Sequence, residues 1–370
     1  MLTSLDDTLW HQLPTTFDHV HTSDPRFYDR YWFACYARDG HAALQATLGA
    51  YRNMNVMDMG FVVTHAGRQH NVRASRSLGR EIVPACGPLT VRPIVPLQEF
   101  EFELAPGAHG VSGRIRWVGI APAAEERHHF ERLRGRVVED YARFDQIGRA
   151  DGWVEIAGER LVVDDWWTCR DHSWGVRPRI GVREPVTGPV RDLDQEGFVF
   201  ALLFFSTDDI VGHVLFSRRG EQAPYVTGDL RRTSDGAERT VNRIDLDVDL
   251  HAGTRRFRQC RMSLGLDDGG QVSLESTAIG AAIAMQGLGY SGGFDDRKGL
   301  GVWRGEDHLE HDVWDVSHPA DIVYPDGKKN AHWHRIQPVA VASRDGATLA
   351  HGTGRLTLLM SGHLPQYGLA

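Results

Sequence analysis

Short runs of alternating or continuous apolar residues recur along the whole chain, separated by turns rich in Gly, Pro and Asp. A period of two, together with β-branched and aromatic residues, is typical of strands. Asp-Gly pairs such as Asp39-Gly40 and Asp345-Gly346 lie between these runs, where a hairpin needs a residue that tolerates positive φ. We predict strands over 31–36, 61–64, 100–104, 115–120, 153–156, 198–205, 211–217, 244–250, 258–266, 271–276, 339–342 and 356–360.

Helical periodicity is weak everywhere, and the best candidates, 24–33 and 125–133, are short. We therefore predict an all-β protein in which two antiparallel barrels or sandwiches pack together, with few short helices. A stretch with Pro, Gly and little hydrophobic pattern covers 178–194. We place a domain boundary there, between an N-terminal β-domain at 1–180 and a C-terminal β-domain at 181–370.

Composition narrows the class of protein. Hydrophobic residues make up 41% and charged residues 24% of the 370 positions, which is ordinary for a well-packed globular protein. Lys and Arg number 41 against 49 Asp and Glu, which gives a formal net charge of -8. This balance offers no basic surface to a phosphate backbone, so we expect no nucleic-acid partner.

The start of the chain and its cysteines bear on location. The first residues lack the basic and apolar regions of a signal peptide, and the longest uncharged stretch, 276–294, is too rich in Gly and polar residues for a membrane span. The four Cys residues lie far apart and form no Cys-x-x-Cys pair. Because this pattern indicates reduced thiols, we expect a cytoplasmic protein without an integral membrane segment.

The densest group of chemically useful side chains lies at 166–177, around Asp171 and His172. A carboxylate beside an imidazole is the usual pair for proton transfer near neutral pH. Neighbours on a strand point to opposite faces, so the two side chains can line one cavity only if a bulge re-aims the chain. The alternative is a buried polar network in which Asp171 accepts backbone hydrogen bonds and the nearby arginines pair with acids.

The segment Arg170-Asp171-His172-Ser173-Trp174-Gly175 resembles the Asp-His-x-Trp-Gly signature of the carotenoid hydratase (hydroxyneurosporene synthase) superfamily. It has the Arg-Asp-His-Ser-Trp-Gly form of one large branch, and the segments 305–315 and 361–368 resemble other parts of that branch. The resemblance implies two lipocalin-like β-barrels. Members of the superfamily catalyse hydrations and, in some fungi, Diels–Alder cyclisations.

The resemblance also implies roles for individual residues. Hydratases of this superfamily protonate an isolated double bond in an aromatic pocket, so Asp171 is expected to be the proton donor and His172 its partner or the base for water. An apolar site can keep a carboxyl protonated, and aromatic faces stabilise a cation. Arg170 departs from the scheme, because a neighbouring cation lowers the pKa of an acid. The residues of this segment that we assign to substrate binding are Trp166, Trp167, Arg170 and Trp174.

A second cluster of acids and imidazoles lies at 306–321. His332 and His334 add two imidazoles at the spacing that puts both on one face of a strand. Three interpretations remain open: the lining of a polar cavity, a metal site with His and carboxylate ligands, and salt bridges between the barrels. Because no ligand spacing is complete, we expect no metal, and we assign to substrate binding Glu306, His308, Glu310, Trp314, His332 and His334.

A Gly-rich string at 287–292 matches the dinucleotide-binding fingerprint, but the residues that follow it do not favour the helix that this motif needs. We therefore expect no cofactor.

The leading hypothesis is a lyase or isomerase (a hydratase, dehydratase or double-bond isomerase) that acts on a hydrophobic isoprenoid, steroid-like or polyketide substrate. The alternatives are a non-catalytic carrier of such a ligand and a pericyclase of the Diels–Alderase kind. For the oligomeric state of the protein, we consider a homodimer as one alternative.

Overall fold

The computed structural model describes residues 2–9, 11–80, 83–133, 136–181, 197–331 and 334–369. Strands account for 62% of the described residues and helices for 5%. The predicted all-β class with few short helices is therefore confirmed. Within the described ranges every helix is a short 3₁₀ turn, at Ser4–Asp7, Arg52–Met54, Met285–Leu288, Tyr290–Gly292 and Pro365–Tyr367.

A sheet of fifteen strands takes up most of the first half of the chain. Its first twelve strands are β1 (Phe27–Tyr36), β2 (Ala42–Tyr51), β3 (Val56–His65), β4 (Arg68–Ser77), β5 (Ala85–Cys86), β6 (Leu89–Val95), β7 (Glu99–Leu104), β8 (Val111–Gly119), β9 (Ala124–Glu125), β10 (His129–Leu133), β11 (Arg136–Ile156) and β12 (Glu159–Val176). The central path runs β4-β3-β2-β1-β12-β11-β8-β7-β6-β5, with antiparallel neighbours, and β9 and β10 pair with β11.

The second half of the chain forms a closed barrel of eight antiparallel strands. These are β13 (Phe198–Thr207), β14 (Ile210–Arg219), β15 (Tyr225–Arg232), β16 (Glu238–Leu250), β17 (Phe257–Leu266), β18 (Gln271–Ala278), β23 (Arg335–Asp345) and β24 (Thr348–Ser361). The pairing of β18 with β23 closes it. Of the remaining strands, β19 (Ile283–Ala284) pairs with β23, whereas β20 (His308–Asp315), β21 (Asp321–Val323) and β22 (Lys329–Ala331) extend the larger sheet beyond β4.

The two predicted helices are wrong. Residues 27–33 of the first candidate belong to strand β1, and the second candidate contains the end of β9 and the strand β10. The physical reason in the first case is that β1 is buried on both faces, so its apolar residues follow no period of two. Burial on both faces made a strand resemble a helix.

The three largest apolar clusters of the described residues lie within the larger sheet, within the barrel and between the two. The larger sheet curls around a core shared by strands from both of its ends, as Phe61 of β3 and Phe102 of β7 show. The barrel has its own core. The third cluster lies where the outer faces of the larger sheet and the barrel meet, and we call this contact the seam. Residues of the seam cluster include Trp32, Tyr36, Trp167, Leu202, Phe204, Val211 and Leu288.

Within the described ranges, no helix has both the length and the apolar character needed to cross a membrane. The domain boundary that we place at residue 180 stays a prediction, and part of the stretch on which it rests, 182–196, lies outside the described residues. The cytoplasmic location likewise stays a prediction.

We predict that Gly60→Ala destabilises the protein by about 1–3 kcal/mol, the usual cost of overpacking. Gly60 lies in β3 beneath the 3₁₀ turn at Met285–Leu288, and a Cβ there would lie 2.7 Å from the Leu288 Cα and 2.8 Å from its carbonyl oxygen. These are backbone atoms, which cannot rotate away. Urea unfolding followed by circular dichroism measures the change. Gly107→Ala is the control, since its Cβ would meet only the end of the His109 side chain, and an equal loss in both variants would contradict the argument.

Candidate functional site

Strand β12 is buried on both faces, because the larger sheet curls around its own core and also packs against the barrel. Trp166 packs in the core of the sheet, whereas Trp167 and Cys169 belong to the seam cluster. Side chains two residues apart share a face of a strand. Asp171 therefore follows Cys169 onto the seam face, where it lines a cavity.

This seam cavity has a volume of about 230 Å³ and takes its walls from both halves of the chain. Trp32 of β1, the cross-strand partner of Asp171, lies on one side, and Phe200 of β13 lies on the other. A concave site with apolar walls and a few convergent polar groups is typical of small-molecule binding. The aromatic walls are Trp32, Tyr141, Phe200 and Tyr290, and the polar groups include Arg143, Asp171, Arg177, His334 and Arg355.

The Asp171 carboxyl is under opposing electrostatic influences. Burial raises its pKa, and the guanidinium groups of Arg143, Arg355 and Arg177 lower it. Burial has the larger effect, so the pKa lies above the ordinary value for aspartate. A carboxyl group whose pKa is raised toward neutrality can both give and take a proton.

Arg355 of β24 brings a buried guanidinium to the same cavity; the residue is only 2% exposed. Its Nη1 donates to the Thr357 hydroxyl at 3.0 Å and to the Leu202 carbonyl at 3.3 Å, and its Nε has no hydrogen-bond partner. The guanidinium carbon lies 3.8 Å from the ring centre of Phe204 and 5.0 Å from that of Trp32. Because these hydrogen-bond partners are neutral and an arginine has five donors, the group can still bind an electron-rich oxygen.

His172 lies on the opposite face of β12. Its Nε2 is 2.7 Å from Asp29 Oδ1, and its ring centre lies 4.6 Å from that of Tyr31 and 5.3 Å from that of Trp174. The pairing of β12 with β1 runs without a bulge along this stretch, so nothing re-aims the strand. The structure therefore does not bring Asp171 and His172 to one cavity.

The other residues predicted from this segment do not line the seam cavity either. Trp166 and Arg170 are buried within the larger sheet, where the Arg170 Nε and Nη2 donate to Gln146 Oε1 at 3.0 and 2.7 Å. Trp167 packs in the seam cluster, and Trp174 is 39% exposed beside His172. Arg170 thus points away from Asp171, and the cations that face the acid come from elsewhere.

The acids and imidazoles of β20 lie at its junction with β4. Arg73 of β4 pairs with Asp312 at 3.0 Å and with Glu310 at 3.5 Å, and His308 Nε2 lies 2.8 Å from Glu310 Oε1. Of the three interpretations that the sequence left open, the structure shows ion pairs here, although they lie within the larger sheet and not between the barrels.

The remaining predicted binding residues are scattered. Glu306 accepts a hydrogen bond from Ser77, and Trp314 is buried in a small apolar cluster beside β21. His334 does line the seam cavity. His332 lies outside the described residues. Of the predicted site residues that the structure describes, only Asp171 and His334 therefore line this cavity.

One wall of the cavity is a segment of the second half, 283–304, that lies against the larger sheet. It supplies Tyr290 to the cavity. Gln69 of β4 anchors it by accepting from the Ala284 N–H at 2.7 Å and donating to the Ala284 carbonyl at 2.9 Å. Asp58 of β3 accepts from the Gly301 N–H at 2.7 Å.

Asp58 also joins this wall to a buried ion pair. Its Oδ1 lies 3.2 Å from Arg30 Nη1 and accepts from the Tyr51 hydroxyl at 3.0 Å. The Arg30 guanidinium carbon in turn lies 4.8 Å from the ring centre of Tyr290. Asp58 thus links the segment that carries Tyr290 to the buried Arg30 guanidinium.

Sequence reasoning missed most of the residues that line the seam cavity, because they come from separate parts of the chain. One signal was available: Arg355 begins an apolar run in a strand, and a charged residue in such a run needs a special partner. Nothing in the spacing of Trp32, Tyr141 and Tyr290 indicates that they converge.

The chain belongs to a family of unknown function, DUF8625, whose model matches residues 2–370. No curated protein matches the sequence significantly. Two solved structures are similar in fold: a candidate AttH protein from Nitrosomonas europaea and kievitone hydratase from Nectria haematococca. Each is 10% identical with a TM-score of 0.50, over 90% of this chain and 92% and 89% of theirs. At this identity the likeness establishes the fold, which fits the double lipocalin-like architecture of carotenoid hydratase-like proteins.

We predict that Asp58→Asn lowers the free energy of unfolding by about 3–5 kcal/mol, because it leaves the buried Arg30 guanidinium without its counter-ion. Urea denaturation measures the change, and Tyr290 should become more accessible to chemical modification. Asp165→Asn is the matched control: Asp165 pairs with Arg38 at 3.0 Å, but both side chains are about half exposed, so the loss should stay below about 1 kcal/mol. Equal stabilities for wild type and Asp58→Asn would contradict the anchoring role.

Proposed function

We propose that this member of the DUF8625 family is a lyase or isomerase that adds or removes water, or shifts a double bond, in a hydrophobic substrate held in the seam cavity. The observation that carries the proposal is the half-buried Asp171 carboxyl, which faces an aromatic cavity between the two β units. Kievitone hydratase, a hydratase by name, has a similar fold, and this supports the class of reaction. The proposal needs no redox cofactor.

Charge around the cavity narrows the substrate class. Its lining contains four arginines, Arg143, Arg177, Arg179 and Arg355, and two acids, Asp171 and Glu139. A carbocation beside an excess of guanidinium groups is disfavoured, whereas an oxyanion is stabilised by them. We therefore favour a steroid-like or polyketide substrate with a carbonyl oxygen at Arg355 over a plain isoprenoid hydrocarbon. The aromatic walls would hold its apolar body.

The proposed step uses Asp171 first as a base and then as an acid. The carboxylate takes a proton from the carbon next to the substrate carbonyl, and the C–H electron pair forms an enolate whose negative charge lies on the oxygen at Arg355. For dehydration, the enolate electrons expel a β-hydroxyl group, which takes the proton from Asp171 and leaves as water. Hydration is the reverse, and return of the proton to the γ carbon of a conjugated enolate shifts the double bond.

We predict that Asp171→Asn lowers turnover by about 10²–10⁴, the usual worth of a positioned acid–base group. The side chain keeps its shape but loses the titrating carboxyl. A general assay incubates a panel of steroid enones and aromatic polyketides in D₂O with the protein and measures deuterium incorporation and water gain or loss by mass spectrometry.

Asp140→Asn is the matched control, because Asp140 lies on the neighbouring strand β11 but forms an exposed pair with His128. Loss of exchange in Asp171→Asn with an unchanged melting temperature supports catalysis. A large fall in melting temperature, with activity per folded molecule intact, would assign Asp171 a structural role. Tight binding of panel members without any exchange in the wild type would favour a carrier.

We predict that Arg355→Met weakens binding of anionic ligands by about 10–150-fold, which corresponds to the 1.5–3 kcal/mol of a hydrogen bond to a charged group. The probe is an anilinonaphthalene sulfonate, whose fluorescence rises in apolar sites, compared with an uncharged naphthalene dye. The uncharged dye should bind both proteins alike. If both dyes lose affinity equally, the effect is one of cavity shape, and the role of Arg355 as an oxygen-binding group fails.

A further inference from the structure

A second cavity, of about 270 Å³, lies elsewhere along the seam. Beside it, Glu126, Asp145 and His213 each place one donor atom within 4.8 Å of the others. Glu126 follows β9 and Asp145 belongs to β11 of the larger sheet, whereas His213 belongs to β14 of the barrel. All three side chains are buried. The two halves of the chain thus each contribute to one cluster of ligand-type atoms.

These atoms lack the partners that buried polar groups normally have. No N–H or hydroxyl donor of the described residues reaches either carboxylate oxygen of Asp145, whose carboxyl lies beside that of Glu126, and the Nε2 of His213 makes no hydrogen bond. Each of the two residues is only 2% exposed. His213 Nε2 lies 3.8 Å from Asp145 Oδ2, which is too far for a hydrogen bond. Because the large majority of buried polar atoms have a partner, three such atoms converging on one point indicate a place for a bound group.

The charge of the cluster indicates which kind of group. Arg143 is the guanidinium at the site: its Nη2 lies 2.7 and 2.6 Å from the two Glu126 oxygens, and its Nε lies 3.8 Å from Asp145. The His213 Nε2 makes no hydrogen bond, and an imidazole nitrogen without a proton has a lone pair to offer. Two carboxylates beside one guanidinium favour an additional cation.

We infer that Glu126, Asp145 and His213 bind a divalent transition-metal ion of the zinc class. One imidazole nitrogen and two carboxylate oxygens suit such an ion. Three protein ligands leave at least one position open, toward a cavity lined in part by Ile147 and Phe204. The inference does not depend on the proposed function. It departs from our sequence-based expectation of no metal, which considered only the 306–334 cluster.

The surroundings of Glu126 fit this role. His129 Nε2 lies 2.6 Å from Glu126 Oε2, and the His129 ring stacks on Tyr141 with centres 4.4 Å apart. With Arg143, this contact fixes the direction of the Glu126 carboxylate, as outer partners of metal ligands do. A carboxylate has about four lone-pair positions, so Glu126, with two contacts from Arg143 and one from His129, still has one for a metal.

The test is calorimetric titration of Zn²⁺ into the full chain after treatment with a chelator. We expect one equivalent to bind the wild type and to raise its melting temperature, because the ion binds only the folded state. Asp145→Asn and His213→Gln should each weaken binding by more than about 100-fold, since even outer partners of a ligand are worth 10–100-fold. The control is His128→Gln, which removes an exposed imidazole two residues from Glu126 and should bind like the wild type.

If a variant fails to fold, Co²⁺ bound to the wild type provides a second measurement. Strong visible absorption, unlike that of hydrated Co²⁺, shows that protein ligands surround the ion and supports the inference. Absence of saturable Zn²⁺ binding by the wild type would overturn it and leave a shared proton as the remaining partner of the two carboxylates. Unchanged binding in both folded variants would overturn it too.

Discussion

Strands β11 and β12 meet two packing partners, one on each face, and most other features of this protein depend on that constraint. A strand with one solvent-exposed face can carry any polar residue on that face. In a strand that is buried on both faces, a charged side chain without a partner is costly. Arg170 meets this demand through Gln146 on the inner face. Arg143 meets it through Glu126 on the seam face. These two arginines are thus matched by a partner, whereas the Asp145 carboxylate on the seam face has no hydrogen-bond donor.

The seam cavity lies where this matching is incomplete. Burial raises the pKa of Asp171, while three guanidinium groups around it oppose the shift. The result is a carboxyl group that neither forms a close ion pair nor lies in wholly apolar surroundings. Such a balance suits proton transfer in both directions better than the permanently protonated acid that an isolated alkene would require. Arg355 is available to a ligand oxygen because its own hydrogen-bond partners are neutral.

Alternation of hydrophobic residues was enough to predict the all-β class, and the same rule places Asp171 and His172 on opposite faces. The seam itself could not be predicted, because it forms between segments with no local relation. Trp32 faces Asp171 only through strand pairing, and Tyr290 arrives on a segment held by Asp58. His172 was assigned to the catalytic site because it is the sequence neighbour of Asp171. In a strand, however, the side chain of the adjacent residue points to the opposite face. The helix predicted over 24–33 failed for a related reason, since burial of both faces removes the period of two.

The three strands β20 to β22 have a bearing on how the chain reaches this structure during synthesis. Strand β4 is complete when residue 77 leaves the ribosome, but its neighbour β20 follows only after residue 308. Until then β4 presents an open edge with unpaired backbone groups, which invites pairing with another nascent chain. Arg73 of β4 faces this edge, and an unpaired charge at a strand edge discourages such association. Arg73, which pairs with Glu310 and Asp312 in the folded protein, is such a charge until β20 has been synthesised.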